Sequence, residues 1–468
     1  GSLEIKATGG DTAALGIQSN IQIGTSGELV ADDDIVVGGN ITAANSLVLK
    51  ADNDQNDNGG ISRDPQNPGV ISATNLGLQS SENIGDPNGT ALEVDVTTLA
   101  VDTDPNTNQV GGGVNIVDNN GDLTLGAVTG VDDSVGVARS AGSLKIEATN
   151  GNLNVNIPVT SGQGSELRAS GDLNLNSNVN AGGDFVGNAG QDINQTGNIS
   201  SGGDVALQAA RNVSLGGSIQ ATNGNTVVVA GSSISVASGT ALGSEALGQV
   251  GNPTITTNQL GIQAGTDAGT IANPLLFNVG SLTYNVGNDI IAEDTAGGVT
   301  LVNQVVAAGT TVNGITAGND SRIVANNGDL TANAASTVGG DGELVTKGSG
   351  NIVINQDYTA ATGNVVIRSA GDISGSGVIT ATGLGIDAPN GSAGTNGNPL
   401  TINVDTLTAG SQPFAVRPQK VFQRAPEVTA IVETVKDVGV IVVPGQPNYP
   451  LVINGNVFAQ DNVGLVEA

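Results

Sequence analysis

GNLNVNIPVTSGQGSELRAS (151–170), GDLNLNSNVNAGGDFVGNAG (171–190), QDINQTGNISSGGDVALQAA (191–210) and RNVSLGGSIQATNGNTVVVAG (211–231) are four consecutive rows of one pattern, equal in length to within one position. Each row opens on a polar corner and an aliphatic residue: Asn152-Leu153, Asp172-Leu173, Asp192-Ile193, Asn212-Val213, and then Ser233-Ile234. A second column runs through Val179, Ile199 and Ile219. A third follows a glycine, at Gly183-Asp184-Phe185, Gly203-Asp204-Val205 and Gly224-Asn225-Thr226. Two or three short alternating strands per row, separated by Gly, Asn and Asp, predict a β-solenoid. One such unit cannot bury its own apolar face; stacked units can, because each inward aliphatic then lies on its counterpart in the next coil.

Working outward, GSLEIKAT (1–8) and GSLKIEAT (142–149) differ only by exchange of a Glu and a Lys. The first residues therefore read as repeat, with an open coil edge at Gly1. A longer repeat is superposed on the short one. ISATNLGL (71–78), ITTNQLGI (255–262) and ITATGLGI (379–386) are each followed by a Gly-rich excursion and a closing strand that reaches Leu99, Leu282 and Leu407. The steps from Leu76 to Leu99, Leu260 to Leu282 and Leu384 to Leu407 agree to within one position, and each fits one coil plus a short loop. Residues 52–69 read as an acidic loop that interrupts the pattern. Gly at the corners permits φ > 0, and Asn or Asp tolerates the same geometry; corner Asn side chains are expected to form ladders from coil to coil.

Composition narrows the function classes. Among 468 residues, 38% are hydrophobic but only 2% aromatic, so Val, Ile, Leu and Ala must form the core. The net charge is −30, with 14 Lys+Arg against 44 Asp+Glu, which argues against a nucleic-acid partner. Cys, His, Met and Trp are absent, which removes disulfides, thiolate nucleophiles, histidine bases and Cys/His zinc sites. A chain without Met, position 1 included, is expected to be a processed or excised product. No apolar run approaches the roughly 20 residues that span a bilayer, so no membrane insertion is expected.

The Gly-Asp-Leu-x-Leu corners and the closure Ala272-Asn273-Pro274-Leu275 to Leu282 resemble filamentous-haemagglutinin-type bacterial exoproteins over about residues 1–410. The resemblance implies a right-handed parallel β-helix with about 20 residues per coil, extracellular or on the cell surface, used as an adhesin stalk or fibre. Residues 411–468 differ in character: six prolines, Phe414 and Phe422, and a basic cluster of Arg417, Lys420 and Arg424 in an acidic chain. This segment reads as a β-rich cap or as a docking arm for the next subunit.

The expected function is therefore a non-enzymatic structural subunit or stalk of an extracellular fibre, associating with itself end to end. The alternative is an adhesin passenger that meets a cell-surface receptor through loops 52–69 and 240–254. A polysaccharide-active enzyme ranks third, because sugar clefts need aromatic platforms and paired carboxylates, and the rings are few. Calcium is the one cofactor weighed. Asp54, Asn56 and Asn58 open an Asp-x-Asn-x-Asn-Gly oxygen-ligand loop, and Asp102 and Asp104 begin a second oxygen-rich run. Position twelve of the first loop is Pro65, so the closing Glu of an EF-hand is missing, and a solvated turn is the competing reading.

Overall fold

Strict apolar/polar alternation over a few residues gives a strand with one face to bury. Val, Ile and Leu on that face favour the extended backbone. The computed structural model describes residues 1–10, 12–53, 58–103, 112–237, 254–395, 398–410, 435–442, 452–453 and 459–467. It comprises two units, Gly1–Gly224 and Asn225–Ala468. Each is a β-solenoid of parallel stacked coils, and no described residue is helical.

The first unit is most regular where the sequence rows are. Each coil there carries three strands, as in Leu144–Ala148, Leu153–Val155 and Val159–Ser161. The next coil repeats them at Ser165–Ala169, Leu173–Leu175 and Val179–Ala181. Register is in phase with the rows: Leu153 pairs with Leu173, Leu173 with Ile193, and Ile193 with Val213. Val159, Val179, Ile199 and Ile219 form a second row. These eight side chains are all essentially inaccessible to solvent. Burial of each contributes roughly 1.5–3 kcal/mol. Size is compensated locally. Phe185 stands in the row of Leu144, Ser165 and Val205, and Gly187 makes room beside it: a Cβ there would lie 3.0 Å from Leu207 Cδ2 and 3.5 Å from the Phe185 ring.

Outward positions of the same strands are polar. Asn174 Nδ2 donates to Asn154 Oδ1 at 2.8 Å, and Asn194 Nδ2 to Asn174 Oδ1 at 2.9 Å. The expected Asn ladder therefore exists, and this stretch of it runs on an outward strand row. At the corner proper, Asn176 donates to Asn156 at 2.9 Å.

The three copies of the longer repeat form long strands. Ile71–Gln79 pairs with Leu92–Asp102, Thr254–Ala264 with Leu275–Val286, and Val378–Asp387 with Leu400–Gly410. The aligned leucines are Leu76 with Leu99, Leu260 with Leu282 and Leu384 with Leu407, which reproduces the sequence intervals. The next coil then divides. Leu99 pairs with Leu125 while Val101 pairs with Ala138, and Leu282 pairs with Leu301 while Tyr284 pairs with Ile315. Each gap contains an antiparallel hairpin, Val128–Thr129 with Ser134–Val135 in one copy and Gln304–Ala307 with Thr310–Asn313 in the other. At the second hairpin's turn, Ala308 and Gly309 take φ of 45° and 80°, the left-handed pair that a tight reversal requires.

One sequence expectation changes. The interruption at 52–69 contains a core strand: Ile61–Arg63 pairs in parallel with Ile35–Val37, and Ile61 is fully buried. Past the boundary set at residue 410, parallel pairing continues along the backbone. Leu400 pairs with Val440, Leu407 with Ile453, and Val440 with Leu465.

Candidate functional site: acidic corners and outer face

The corner carboxylates are the obvious place to look for chemistry in so acidic a chain. In the first unit they form a file. Asp122 Oδ1 accepts the Asn152 N–H at 2.8 Å, Asn152 Oδ1 that of Asp172 at 2.7 Å, Asp172 Oδ1 that of Asp192 at 3.0 Å, and Asp192 Oδ1 that of Asn212 at 2.9 Å. The second unit repeats the device from Asp289 through Asp320 and Asp341 to Asn364, at 3.0, 2.8 and 2.7 Å. A parallel file runs from Asp329 through Asn351 and Asp372 to Ser392. At each turn a backbone N–H would otherwise lack a strand partner, and an Asx oxygen one coil below supplies it. Asp and Asn interchange in these files because either offers the accepting oxygen. Burial pushes the Asp320 carboxyl above the ordinary range, against the N–H of Asp341, and the charges of Asp289 and Asp341 add to the rise.

Two other carboxyls are buried deeper. Asp118 is pushed up to about 6 by burial, although the N–H groups of Val96 and Asn120 donate to it. Asp294 is likewise raised by burial, although the Gly297 N–H donates to it. Both are held by backbone donors, not set against a second carboxylate across a cleft.

Of the calcium ligands expected from sequence, only Asn58 and Asp102 lie among the described residues. Asp54, Asn56 and Asp104 lie outside them, and Asn58 is exposed at the surface. Asp102 is 6% exposed and faces Arg139, whose Nε and Nη2 reach its two oxygens at 2.9 and 3.0 Å. That fork is a charge-assisted pair of hydrogen bonds, so Asp102 serves to tie two coils. Among the described residues, no group of three or more Asp or Glu side chains is placed to hold a metal ion. The self-association residues Phe414, Arg417, Lys420, Phe422 and Arg424, and loop residues 240–253, also lie outside the described residues.

A cavity of about 400 Å³ opens beside the strand Ile61–Arg63. Asp34, Arg63, Glu82 and Asp86 line it with Asn83 and Thr90. Most of its polar groups are engaged. Asp34 accepts the Gly60 N–H, Asn83 that of Gly113, and Asp86 that of Asn88. Arg63 is held by Glu93 at 2.6 Å and by the Gly69 carbonyl. Burial raises the Glu82 carboxyl, helped by the charges of Asp34, Asp33 and Asp52. The lining thus combines three carboxylates with one guanidinium that is already paired with Glu93.

The aromatic rings among the described residues give no exposed stacking platform. Phe185, Phe277, Tyr284 and Tyr358 all point inward and are fully buried. The Tyr284 hydroxyl meets Ser321 Oγ at 3.0 Å, and burial pushes it to about 12. Gly342 admits the Tyr358 ring, since a Cβ there would come within 2.6 Å of its hydroxyl.

The outer face contains a feature that alternation alone does not announce. Val48, Gly77 and Ala100 face outward in one column and are covered by the first hairpin through Val128 and Val135. Glu28, in register with Val48, is 1% exposed and accepts the N–H groups of Asp132 and Asp133 at 2.9 and 3.4 Å. Lys50 reaches Asp133 at 3.4 Å. In the second copy the column is Val227, Gly261 and Thr283, covered through Val305 and Val312. The sequence signal was present in the shared Leu-Gly-Leu/Ile and the Val-rich insert that follows it, but nothing in the alternation said that the glycine faces out.

No family model, curated protein or solved structure matches the chain. No helix among the described residues is long and apolar enough to cross a membrane.

Proposed function

We propose that the chain is a non-enzymatic structural element of an extracellular assembly, a stalk or fibre subunit that associates end to end. The observation that supports this reading is the use made of the corner carboxylates: the files that suggested chemistry are engaged in coil-to-coil hydrogen bonds. Among the described residues, the four buried rings and the Arg139 fork on Asp102 support the same reading, because each is engaged in packing or in a coil-to-coil pair. The extracellular location is the part of the proposal that rests on the sequence resemblance alone. Electron microscopy of the purified chain across concentration, with calcium and with chelator, tests the proposal. Filaments whose axial repeat matches one molecule are expected. Single particles at every concentration would contradict end-to-end association.

The adhesin reading draws on one observation, the polar cavity between Asp34 and Thr90. Receptor or glycan binding that is lost on Glu82→Leu, with the melting temperature unchanged, would favour it.

A further inference from the structure

One corner of the second unit gathers an amine, an amide and a carboxylate. It follows the stacked strands Ile290–Asp294, Ser321–Ala325 and Gly342–Thr346. Asp294 pairs with Ala325, and Ala325 with Thr346, so Thr295, Asn326 and Lys347 leave the strands in step, one above the other. The backbone fixes them there. The Asn326 N–H donates to the Asp294 carbonyl at 3.2 Å, and the Lys347 N–H to the Ala325 carbonyl at 2.8 Å. Glu293 stands one position before Asp294, two coils from Lys347.

The lysine side chain is long enough to cross the intervening coil. Lys347 Nζ donates to Glu293 Oε1 at 3.0 Å, and Asn326 Nδ2 donates to the same oxygen at 2.8 Å. One carboxylate oxygen therefore holds both nitrogens, which cannot be farther apart than those two bonds laid end to end. The carbonyl end of the amide is free among the described residues: Asn326 Oδ1 is buried and accepts no hydrogen bond. Water reaches the group poorly, since the Lys347 and Glu293 side chains are 22% and 20% exposed. An ion pair between coils needs only a lysine and a carboxylate, as at Lys50 and Asp133. The amide beside the amine, with its oxygen untied, is what an ion pair leaves unexplained.

We propose that Lys347 and Asn326 condense into an intramolecular isopeptide bond that cross-links neighbouring coils, with Glu293 as the proton carrier. Glu293 Oε1 takes a proton from the Lys347 ammonium, and the freed Nζ lone pair attacks Asn326 Cγ. The Nζ–Cγ bond forms as the carbonyl pair moves onto Oδ1. Glu293 then gives its proton to Nδ2, the carbonyl re-forms and the Cγ–Nδ2 bond breaks. The leaving ammonia carries away the proton that remains on Nζ, through Glu293. An ammonium and a primary amide thus become a secondary amide and an ammonium ion. Glu293 ends ionised as it began, and no oxidant or cofactor enters. Free amines scarcely attack amides. Here the partners are already held together and share one proton carrier, and Nζ has only to swing from Oε1 to the approach of about 3–3.5 Å that reacting atoms need. The bond would also shorten the open chain between residues 326 and 347 in the unfolded state, as any cross-link does.

Mass spectrometry of the purified full chain tests this. The intact mass should fall one ammonia below that of the sequence. Trypsin cuts after Arg322 and Arg368 but not after an acylated lysine, so the denatured chain should release residues 323–368 uncut at Lys347 and one ammonia light. Lys347→Arg keeps a cation opposite Glu293 but offers no lone pair for attack. Glu293→Gln keeps the shape but carries no proton. Both variants should have their full mass and melt below the wild type. A wild-type chain of full mass would overturn the proposal. So would an ammonia loss that leaves Lys347 open to trypsin, the mark of a succinimide at Asn327-Gly328, or one that persists in Lys347→Arg. Loss that persists in Glu293→Gln would overturn the part given to the glutamate.

Discussion

The coils between Leu144 and Ala221 and the long-strand coils at 71–102, 254–286 and 378–410 solve the same problem differently. In the regular coils the outward row of Asn154, Asn174 and Asn194 bonds from coil to coil and needs no cover. In the coils at 71–102 and 254–286 one outward column is apolar, and a hairpin folds back over it. Uniform stacking thus makes a polar exterior self-sufficient. A break in the repeat produces a straight strand, an apolar outer face and the insert to bury it.

This contrast fails if inward and outward rows prove equivalent. Leu173→Ala, in the inward row, should cost about 2–5 kcal/mol in denaturant unfolding, the usual range for a core leucine. Asn174→Ala, its outward neighbour, should cost about 1 kcal/mol, since it removes ladder hydrogen bonds near the surface. Equal effects would put the core elsewhere.

The hairpin seats sharpen the contrast further. Gly77→Val should destabilise by about 1–3 kcal/mol through overpacking against Val135 and should speed amide exchange across 128–135.

Buried carboxyls give a weaker, pH-dependent test. Asp118 has a folded pKa of about 6, above its ordinary value of 3.8. The folded state then binds the proton more tightly, so this group's contribution to stability falls as pH rises from about 4 to 6. Asp118→Asn keeps an acceptor for the Val96 N–H. It should raise the melting temperature at pH 7, with the advantage shrinking towards pH 4; a constant difference across this range would contradict the burial argument. The smallest effect belongs to the rim pair. Lys50→Ala should cost under about 1 kcal/mol, because Asp133 is 41% exposed.

How much of this was legible follows from what each signal encodes. The row starts Leu153, Leu173, Ile193 and Val213 gave the register directly, because a coil that stacks in phase must repeat its inward residue at the coil length. The leucine intervals of the long repeat gave the long-strand pairings for the same reason. The partner of Asp102 is not legible locally, because Arg139 lies far along the chain from the oxygen-rich run that begins there. Ile61–Arg63 was hidden because its acidic, Gly-rich flanks resemble a loop while the strand itself is very short. The hairpin seats were half-visible. Their glycine sits in a motif that reads equally well inward or outward, and only a valine on top of it decides.

The central claim is in-register parallel stacking of the sequence rows. Thr124, Asn154, Asn174, Asn194 and Ser214 lie in one outward row, each in register with the next. The chain has no cysteine of its own, so paired spin labels can be placed at will. Labels at Thr124→Cys and Ser214→Cys should be about 19 Å apart between attachment points, and at Asn154→Cys and Ser214→Cys about 14 Å, one strand spacing of about 4.8 Å per row. Distances that grow linearly with the number of rows are the predicted result. Distances that do not follow row number, or that scatter broadly, would contradict the stacked-coil account.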